Sequence, residues 1–150
     1  MAERKTSKWR DKDVWQERLK NDEALIEERL TVEQEKVLRE APRMVGEIFP
    51  VQFVLVVGSR ARGNHREESD LDLYIEAEGA PNDPKKAPAV TSEHFDVLIV
   101  PAGVLVWNVR GGDDWARKYA LEGLVASDNG SFREALIRLE EEGLLDSSAS

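Results

Sequence analysis

Two aspartates, a glycine-serine pair and two arginines fall within one short stretch of the chain. Residues 51–75 read VQFVLVVGSRARGNHREESDLDLYI. The apolar run at residues 53–57 is short and rich in valine, which predicts a buried β-strand. This strand ends at Gly58-Ser59, where a glycine permits a tight turn and a close approach of the backbone to a ligand.

The two aspartates open a second apolar alternation, formed by Leu71, Leu73 and Ile75. Residues two apart in a strand share a face, so Asp70 and Asp72 are expected to project together. Carboxylates held side by side repel each other unless a cation lies between them. Their hard oxygens suit Mg²⁺, which commonly binds one or two carboxylates together with substrate phosphates.

The segment before the aspartates has the features of a phosphate site. Backbone N–H groups of the Gly58-Ser59 turn, and of a short helix beginning at Ser59, can point at phosphate oxygens. Arg60 and Arg62 can add positive charge. A carboxylate pair that faces a phosphate-binding turn favours phosphoryl or nucleotidyl transfer. The structural alternative is an ordinary β-turn followed by two solvated aspartates at a strand edge.

These residues carry a resemblance to a known family. Gly58-Ser59, a gap of ten residues and then Asp70-x-Asp72 resemble the motif of the DNA polymerase β-like nucleotidyltransferase superfamily. The sequence motif GSRARG, followed by SDLDL, is most similar to the minimal nucleotidyltransferase branch of this superfamily. The resemblance covers about residues 45–101.

The resemblance implies roles for individual residues. Asp70, Asp72 and Asp96, which heads a third apolar run, would be the metal ligands and catalytic carboxylates, with Asp96 nearest in role to a general base. Gly58 and Ser59 would hold the nucleotide phosphates, with Arg60 and Arg62 as helpers. The implied cofactor is Mg²⁺, and the implied donor is ATP or another nucleoside triphosphate.

Composition limits the classes of partner. The chain has 150 residues, a net charge of −9 and no cysteine, which excludes disulfides and thiolate catalysis. No apolar run approaches the length of a membrane helix, and the N-terminus lacks the apolar core of a secretory signal, so we expect a cytoplasmic protein with no membrane partner. An acidic chain without a long basic stripe disfavours nucleic-acid binding unaided.

The expected fold is α/β (α+β), with a small mixed sheet of three or more strands flanked by N- and C-terminal helices. Residues 1–30 are interpreted as an N-terminal helical arm, and residues 31–150 as the nucleotidyltransferase domain, with core motifs at 51–101 and helices at 102–146. Thr31 to Gln34 has the form of a capping box, and Pro42 is expected to kink or divide the helix that follows. An apolar face at Trp9 and Trp15 could serve a homo-oligomer or a partner.

Three functions are compatible with this pattern. The first is transfer of AMP from ATP onto a hydroxyl of a protein partner, as in family members that act as antitoxins. The second is transfer to a small molecule, as in antibiotic-modifying relatives. The third is a nucleotide- or protein-binding module without turnover, which the clustered carboxylates disfavour because a binder does not need them.

Overall fold

The chain folds as a four-stranded sheet with helices on both faces. The structure is a computed structural model that describes residues 5–82 and 95–146. After a 3₁₀ turn at Lys8–Arg10, the elements in chain order are α1 (Lys12–Arg29), α2 (Val32–Gly46), β1 (Val51–Val57), α3 (Ser59–Arg62), β2 (Leu71–Ala77), β3 (Phe95–Pro101), α4 (Val104–Arg110), α5 (Asp114–Glu122), β4 (Leu124–Asp128) and α6 (Ser131–Glu141).

The sheet is mixed, with the strand order β3-β2-β1-β4. Strand β1 pairs antiparallel with both β2 and β4, whereas β2 and β3 run parallel. The predicted fold class, a small mixed sheet flanked by helices, is confirmed. Strand β4 was not identified from the sequence, in which residues 123–126 read only as a short apolar segment.

The two faces of the sheet bury different side chains of the same strands. Phe53, Leu55 and Val57 of β1 pack in the cluster that contains the buried residues of α4, α5 and α6. Val54 and Val56 point the other way, into the clusters formed with α1 and α2. This alternation follows from the two-residue period of a strand, and it makes β1 a central strand that is buried on both faces.

Helix α1 is anchored to the edge of the sheet by a buried ion pair. Asp22 is 6% exposed, and its carboxylate accepts a hydrogen bond from the Val125 amide at 2.9 Å. Arg18 lies 3.3 Å from the same oxygen, and its guanidinium also donates to the Gly123 carbonyl. Residues 12–29 therefore pack along the domain, while the domain boundary at residue 30 stays a prediction.

The prediction that Trp9 and Trp15 form a free apolar face is wrong. Trp15 is 4% exposed and belongs to the main core. The ring of Trp9 packs edge-on against it at a centroid distance of 5.6 Å, and the Arg18 guanidinium lies 4.9 Å from the Trp9 ring. Both indole rings therefore pack against residues of the same chain. The predicted homo-oligomer was based on a free apolar surface at these residues, and that surface is not present.

Helix α2 begins as its sequence indicates. The side chain of Thr31 accepts from the Gln34 amide, and the Gln34 side chain accepts from the Thr31 amide, which confirms the capping box. The helix is not divided at Pro42 but runs on to Gly46. Ala41 and Val45 on either side are fully buried, and their packing holds both halves of the helix on the sheet.

Two further expectations from the sequence concern the loop after Glu76 and helices that could cross a membrane. Residues 77–93 are rich in proline, glycine and alanine, so the sequence predicts a loop there between the second and third strands. Most of this loop falls on residues 83–94, which lie outside the described residues. Among the described residues, no helix combines the length and the apolar content that are needed to cross a bilayer.

We expect Asp22→Ala to lower the free energy of unfolding by about 2–3 kcal/mol, because it leaves the Val125 amide and the Arg18 guanidinium without their carboxylate. Urea unfolding followed by circular dichroism measures this change. Arg43 and Glu47 are also four residues apart, and their guanidinium and carboxylate groups lie 3.5 Å from each other, but both side chains are exposed. Glu47→Ala should therefore lower the free energy of unfolding by less than about 0.5 kcal/mol. Equal effects of the two substitutions would contradict the anchoring role of Asp22.

Candidate nucleotide-transfer site

The turn after β1 takes a conformation that requires glycine. Gly58 has a φ of +76°, which side-chain-bearing residues rarely adopt. A Cβ at this position would lie 2.4 Å from Oδ2 of Asp72. The backbone of the turn and the carboxylate of Asp72 are therefore in direct contact, and any larger residue would push them apart. The short helix predicted to begin at Ser59 is present as α3.

Two of the three predicted carboxylates are brought together by the strand register. Asp72 on β2 is the register partner of Asp96 on the parallel strand β3, and the neighbouring backbones lie about 4.8 Å apart. The two side chains share one face of the sheet, the face covered by α4 and α5. Asp70 precedes the first residue of β2 and is exposed, so it stands at the mouth of the site.

The electrostatics of Asp72 reflect this crowding. Partial burial raises the pKa of Asp72, and the negative charges of Asp96 and Asp70 raise it further. The positive charge of Arg62 acts against this rise and lowers the pKa of Asp72. The site therefore concentrates negative charge that a cation would relieve.

The carboxylates are not gathered into a closed metal centre. Within residues 5–82 and 95–146, no group of three or more His, Cys, Asp or Glu side chains is arranged to hold a metal ion. The strand register places Asp72 and Asp96 side by side, and Asp70 lies just before the first residue of β2. A cation bound here would need ligands from another molecule, such as phosphate oxygens, which is the way Mg²⁺ is commonly held.

Arg60 does not face the open side of the turn. It is 2% exposed, and its guanidinium donates to the backbone carbonyls of Arg66, Glu67 and Ser69. It also donates to the Arg29 carbonyl, while Arg29 donates in return to the carbonyls of Arg60 and Ala61. Arg60 therefore fixes the loop between α3 and β2 to the end of α1, and its donors are not directed towards a phosphate in this arrangement.

Arg62 lies on the open side and borders a cavity. Its side chain is 44% exposed and lies 3.7 Å from the Glu122 carboxylate. With Gly58, it lines a cavity of about 160 Å³ whose opposite wall is formed by α5, including Trp115 and Tyr119. Of the two predicted arginines, Arg62 is thus the one with access to a ligand.

The aromatic wall of this cavity was not anticipated from the sequence, in which Trp115 and Tyr119 read as core residues at helical spacing. The two rings meet edge-on at 5.3 Å, and Tyr119 also packs on the buried ring of Tyr74 at 5.5 Å. Burial raises the pKa of the Tyr119 phenol, and the charges of Asp72 and Asp96 raise it further, which places Tyr119 near the carboxylates.

Glu76 holds the helices above the site in place, a role that no sequence signal indicated. Its carboxylate is buried and accepts hydrogen bonds at 2.8 Å from the Tyr74 hydroxyl and from the amides of Gly103 and Leu105. A side chain of β2 thereby caps the start of α4. Burial raises the pKa of Glu76, while these three donors act against the rise.

Comparison with known proteins identifies the family of the chain. The model of the nucleotidyltransferase domain family matches residues 35–142, well over half of the chain. No curated protein matches the chain. Among solved structures, a provisionally assigned nucleotidyltransferase from Sulfolobus solfataricus is similar at 17% identity, with a TM-score of 0.44 over 64% of this chain and 84% of that one. On the strength of the domain match, the chain belongs to the nucleotidyltransferase domain family and is a nucleotidyltransferase.

Proposed function

We propose that this nucleotidyltransferase moves AMP from ATP onto a hydroxyl group of a protein partner, in a reaction that depends on Mg²⁺. The observation that carries the proposal is the register pairing of Asp72 with Asp96 beside the Gly58 turn. A cytoplasmic location, which is expected from the sequence pattern, and an antitoxin role, which the family resemblance alone implies, belong to the same proposal.

The donor chemistry of the site fits a hard divalent cation. Asp70, Asp72 and Asp96 all offer carboxylate oxygens, and burial, together with the negative charges of Asp96 and Asp70, raises the pKa of Asp72. These three side chains would hold the cation together with the phosphates of the nucleotide. When bound, Mg²⁺ would supply positive charge to the phosphate oxygens as the α-phosphorus is attacked.

The residues of the chain then have separate tasks. The backbone of Gly58 and Ser59 binds the β- and γ-phosphates, and Arg62 adds charge from the open side of the cavity. The acceptor oxygen forms a bond to the α-phosphorus while the bond from that phosphorus to the pyrophosphate oxygen breaks. Asp96 takes the proton of the acceptor hydroxyl, since it is exposed on the same face as Asp72. The products are an adenylylated hydroxyl and pyrophosphate.

The aromatic wall gives the nucleoside a place beside these groups. Trp115 is 38% exposed and lines the cavity together with Tyr119, so a flat base can stack or pack edge-on against them. Most of the rate in such a site comes from positioning and charge, and few further side chains are needed.

A protein acceptor agrees with the charge of the chain. The net charge of −9 disfavours a polyanionic acceptor such as nucleic acid, which would be repelled at every phosphate. A polypeptide that carries positive charge is not repelled in this way. Transfer to a small molecule is the competing outcome of the experiment below.

We expect label from α-labelled ATP to appear on a discrete protein band when the chain is incubated with Mg²⁺ in host lysate. The variant Asp70→Asn/Asp72→Asn should lower the transfer by about 100-fold or more, because several kcal/mol of transition-state stabilisation are lost with the carboxylates. The matched control is Glu33→Gln/Glu40→Gln, which removes two exposed carboxylates of α2 and should leave the transfer unchanged.

The pattern of label separates the hypotheses. Label that is sensitive to the aspartate variant but found only in small molecules would contradict the protein acceptor and establish the antibiotic-type reaction. If ATP and the other nucleoside triphosphates all gave no label that depends on these aspartates, the proposed chemistry at the carboxylate pair would be wrong.

The two arginines should differ in the kind of defect they cause. Arg62→Ala should raise the KM for the nucleotide about tenfold, corresponding to about 1.4 kcal/mol, with no change in thermal stability. Arg60→Ala should instead lower the free energy of unfolding by about 3 kcal/mol, because it leaves buried carbonyls without a donor. Steady-state kinetics and urea unfolding measure the two effects, and an exchange of the two outcomes would contradict the placement of these side chains.

A further inference from the structure

A second concave surface lies on the face of the sheet opposite the carboxylates. We call it the α1–α2 groove, because its walls come from these two helices and its base from β1 and β4. It encloses about 620 Å³, against about 160 Å³ for the cavity beside Gly58. Its apolar lining comes mainly from Leu19, Ile26, Leu38, Pro42, Val54 and Ala126.

The edge of this groove is acidic. Glu23 and Glu27 of α1 and Glu35 of α2 line it, and none of these side chains forms an ion pair within the described part of the chain. Arg39 is the single cationic side chain among the described lining residues. The groove therefore combines an apolar base with a net negative margin.

The fourth lining carboxylate is already engaged. Asp128 accepts hydrogen bonds from the amides of Gly130, Phe132 and Arg133 at the start of α6. The Asp128 carboxylate thereby caps α6, so its charge is already stabilised within the fold. Glu23, Glu27 and Glu35 form no such hydrogen bonds with the described residues 5–82 and 95–146.

We propose that the α1–α2 groove docks a segment of a partner protein that presents apolar side chains flanked by lysine or arginine. The apolar base gains stability when such side chains displace water from it, and the carboxylate margin selects cationic neighbours. A helix with one apolar face suits a trough between two helices.

The charge of the margin argues against other occupants. Nucleic acid and anionic lipid surfaces would be repelled by the three glutamates. A second copy of the chain, joined through the same patch by a two-fold axis, would bring two acidic margins together. The carboxylates therefore favour a basic partner over self-association.

The groove does not compete with the transfer site for space. Val54 in the groove and Asp72 in the site project from opposite faces of the sheet. A docked segment therefore leaves the nucleotide cavity open, so the same partner could be held on one face while another part of it reaches the other. Binding is measurable without nucleotide, so this inference can fail or succeed independently of the proposed function.

The probe is a synthetic helical peptide of about 14 residues, with leucine on one face and lysine on the other. We expect the full chain to bind it with a Kd of about 10 μM, more weakly as salt increases, and with amide shift changes in NMR spectra that are confined to α1, α2, β1 and β4. A peptide with glutamate in place of lysine should not bind, and a scrambled leucine-lysine peptide without an apolar face should bind at least about tenfold more weakly.

Charge reversal in the groove supplies the decisive comparison. Glu23→Lys/Glu27→Lys should weaken binding of the leucine-lysine peptide by about tenfold or more. Glu33→Lys/Glu40→Lys changes the net charge equally on exposed positions of α2 that do not line the groove, and it should bind the peptide as the unaltered chain does. All four positions are exposed, and circular dichroism verifies that both variants fold.

Several results would overturn the proposal. If both charge-reversed variants lost the same amount of peptide affinity, the peptide would be attracted only by the overall negative charge of the chain. Equal binding of the glutamate or the scrambled peptide would remove the selectivity for a basic amphipathic segment. Shift changes outside the groove, or no binding of the leucine-lysine peptide, would show that the groove is not a docking surface for this class of partner.

Discussion

Repulsion between Asp72 and Asp96 is the constraint that the rest of the structure has to overcome in order to keep the site together. Two neighbouring parallel strands place the carboxylates in register on one face, where burial and mutual charge raise the pKa of Asp72. A slip of one residue in β3 would move Asp96 to the opposite face and leave Asp72 alone. The buried residues of β2 and β3, which pack on both faces of the sheet, prevent that slip, so the hydrophobic core maintains a pairing that the charges themselves oppose.

Buried polar side chains and one glycine hold the elements around this pair in place. Arg60 and Arg29 exchange hydrogen bonds with each other's backbone and set the course of the loop that leads to Asp70. Glu76 caps α4 from within the sheet, and α4 packs on α5, which carries the aromatic wall of the cavity. The turn itself depends on Gly58, because a side chain there would collide with Asp72. Gly58 and Glu76 thus join strands to the turn and the helix beside them, whereas the arginine pair joins α1 and α3 to the loop before β2.

The features that were predicted correctly depend on interactions between residues close together in the sequence. The capping box at Thr31, the buried β1 and the tight turn at Gly58 are all read from residues adjacent in sequence. Strand β4 escaped prediction because its five residues include a serine and an aspartate and its pairing with β1 is long-range. The role of Arg60 was not readable either, since an arginine after a phosphate-type turn suggests an anion, and only the folded chain reveals the carbonyls that converge on it. Tyr119 and Trp115 follow a helical period that indicates core, and their position at the cavity depends on how α5 docks.

The central claim is that Asp72 and Asp96 together bind the catalytic cation. The most direct test measures Mn²⁺ binding by electron paramagnetic resonance in the presence of a non-hydrolysable ATP analogue. Mn²⁺ replaces Mg²⁺ in this experiment because it accepts the same oxygen ligands. We expect Asp72→Asn and Asp96→Asn each to weaken Mn²⁺ binding by at least about tenfold, while Glu33→Gln/Glu40→Gln leaves it unchanged. If both single aspartate variants bound Mn²⁺ as tightly as the unaltered chain, the pair would not be the metal site and this account of the site would be contradicted.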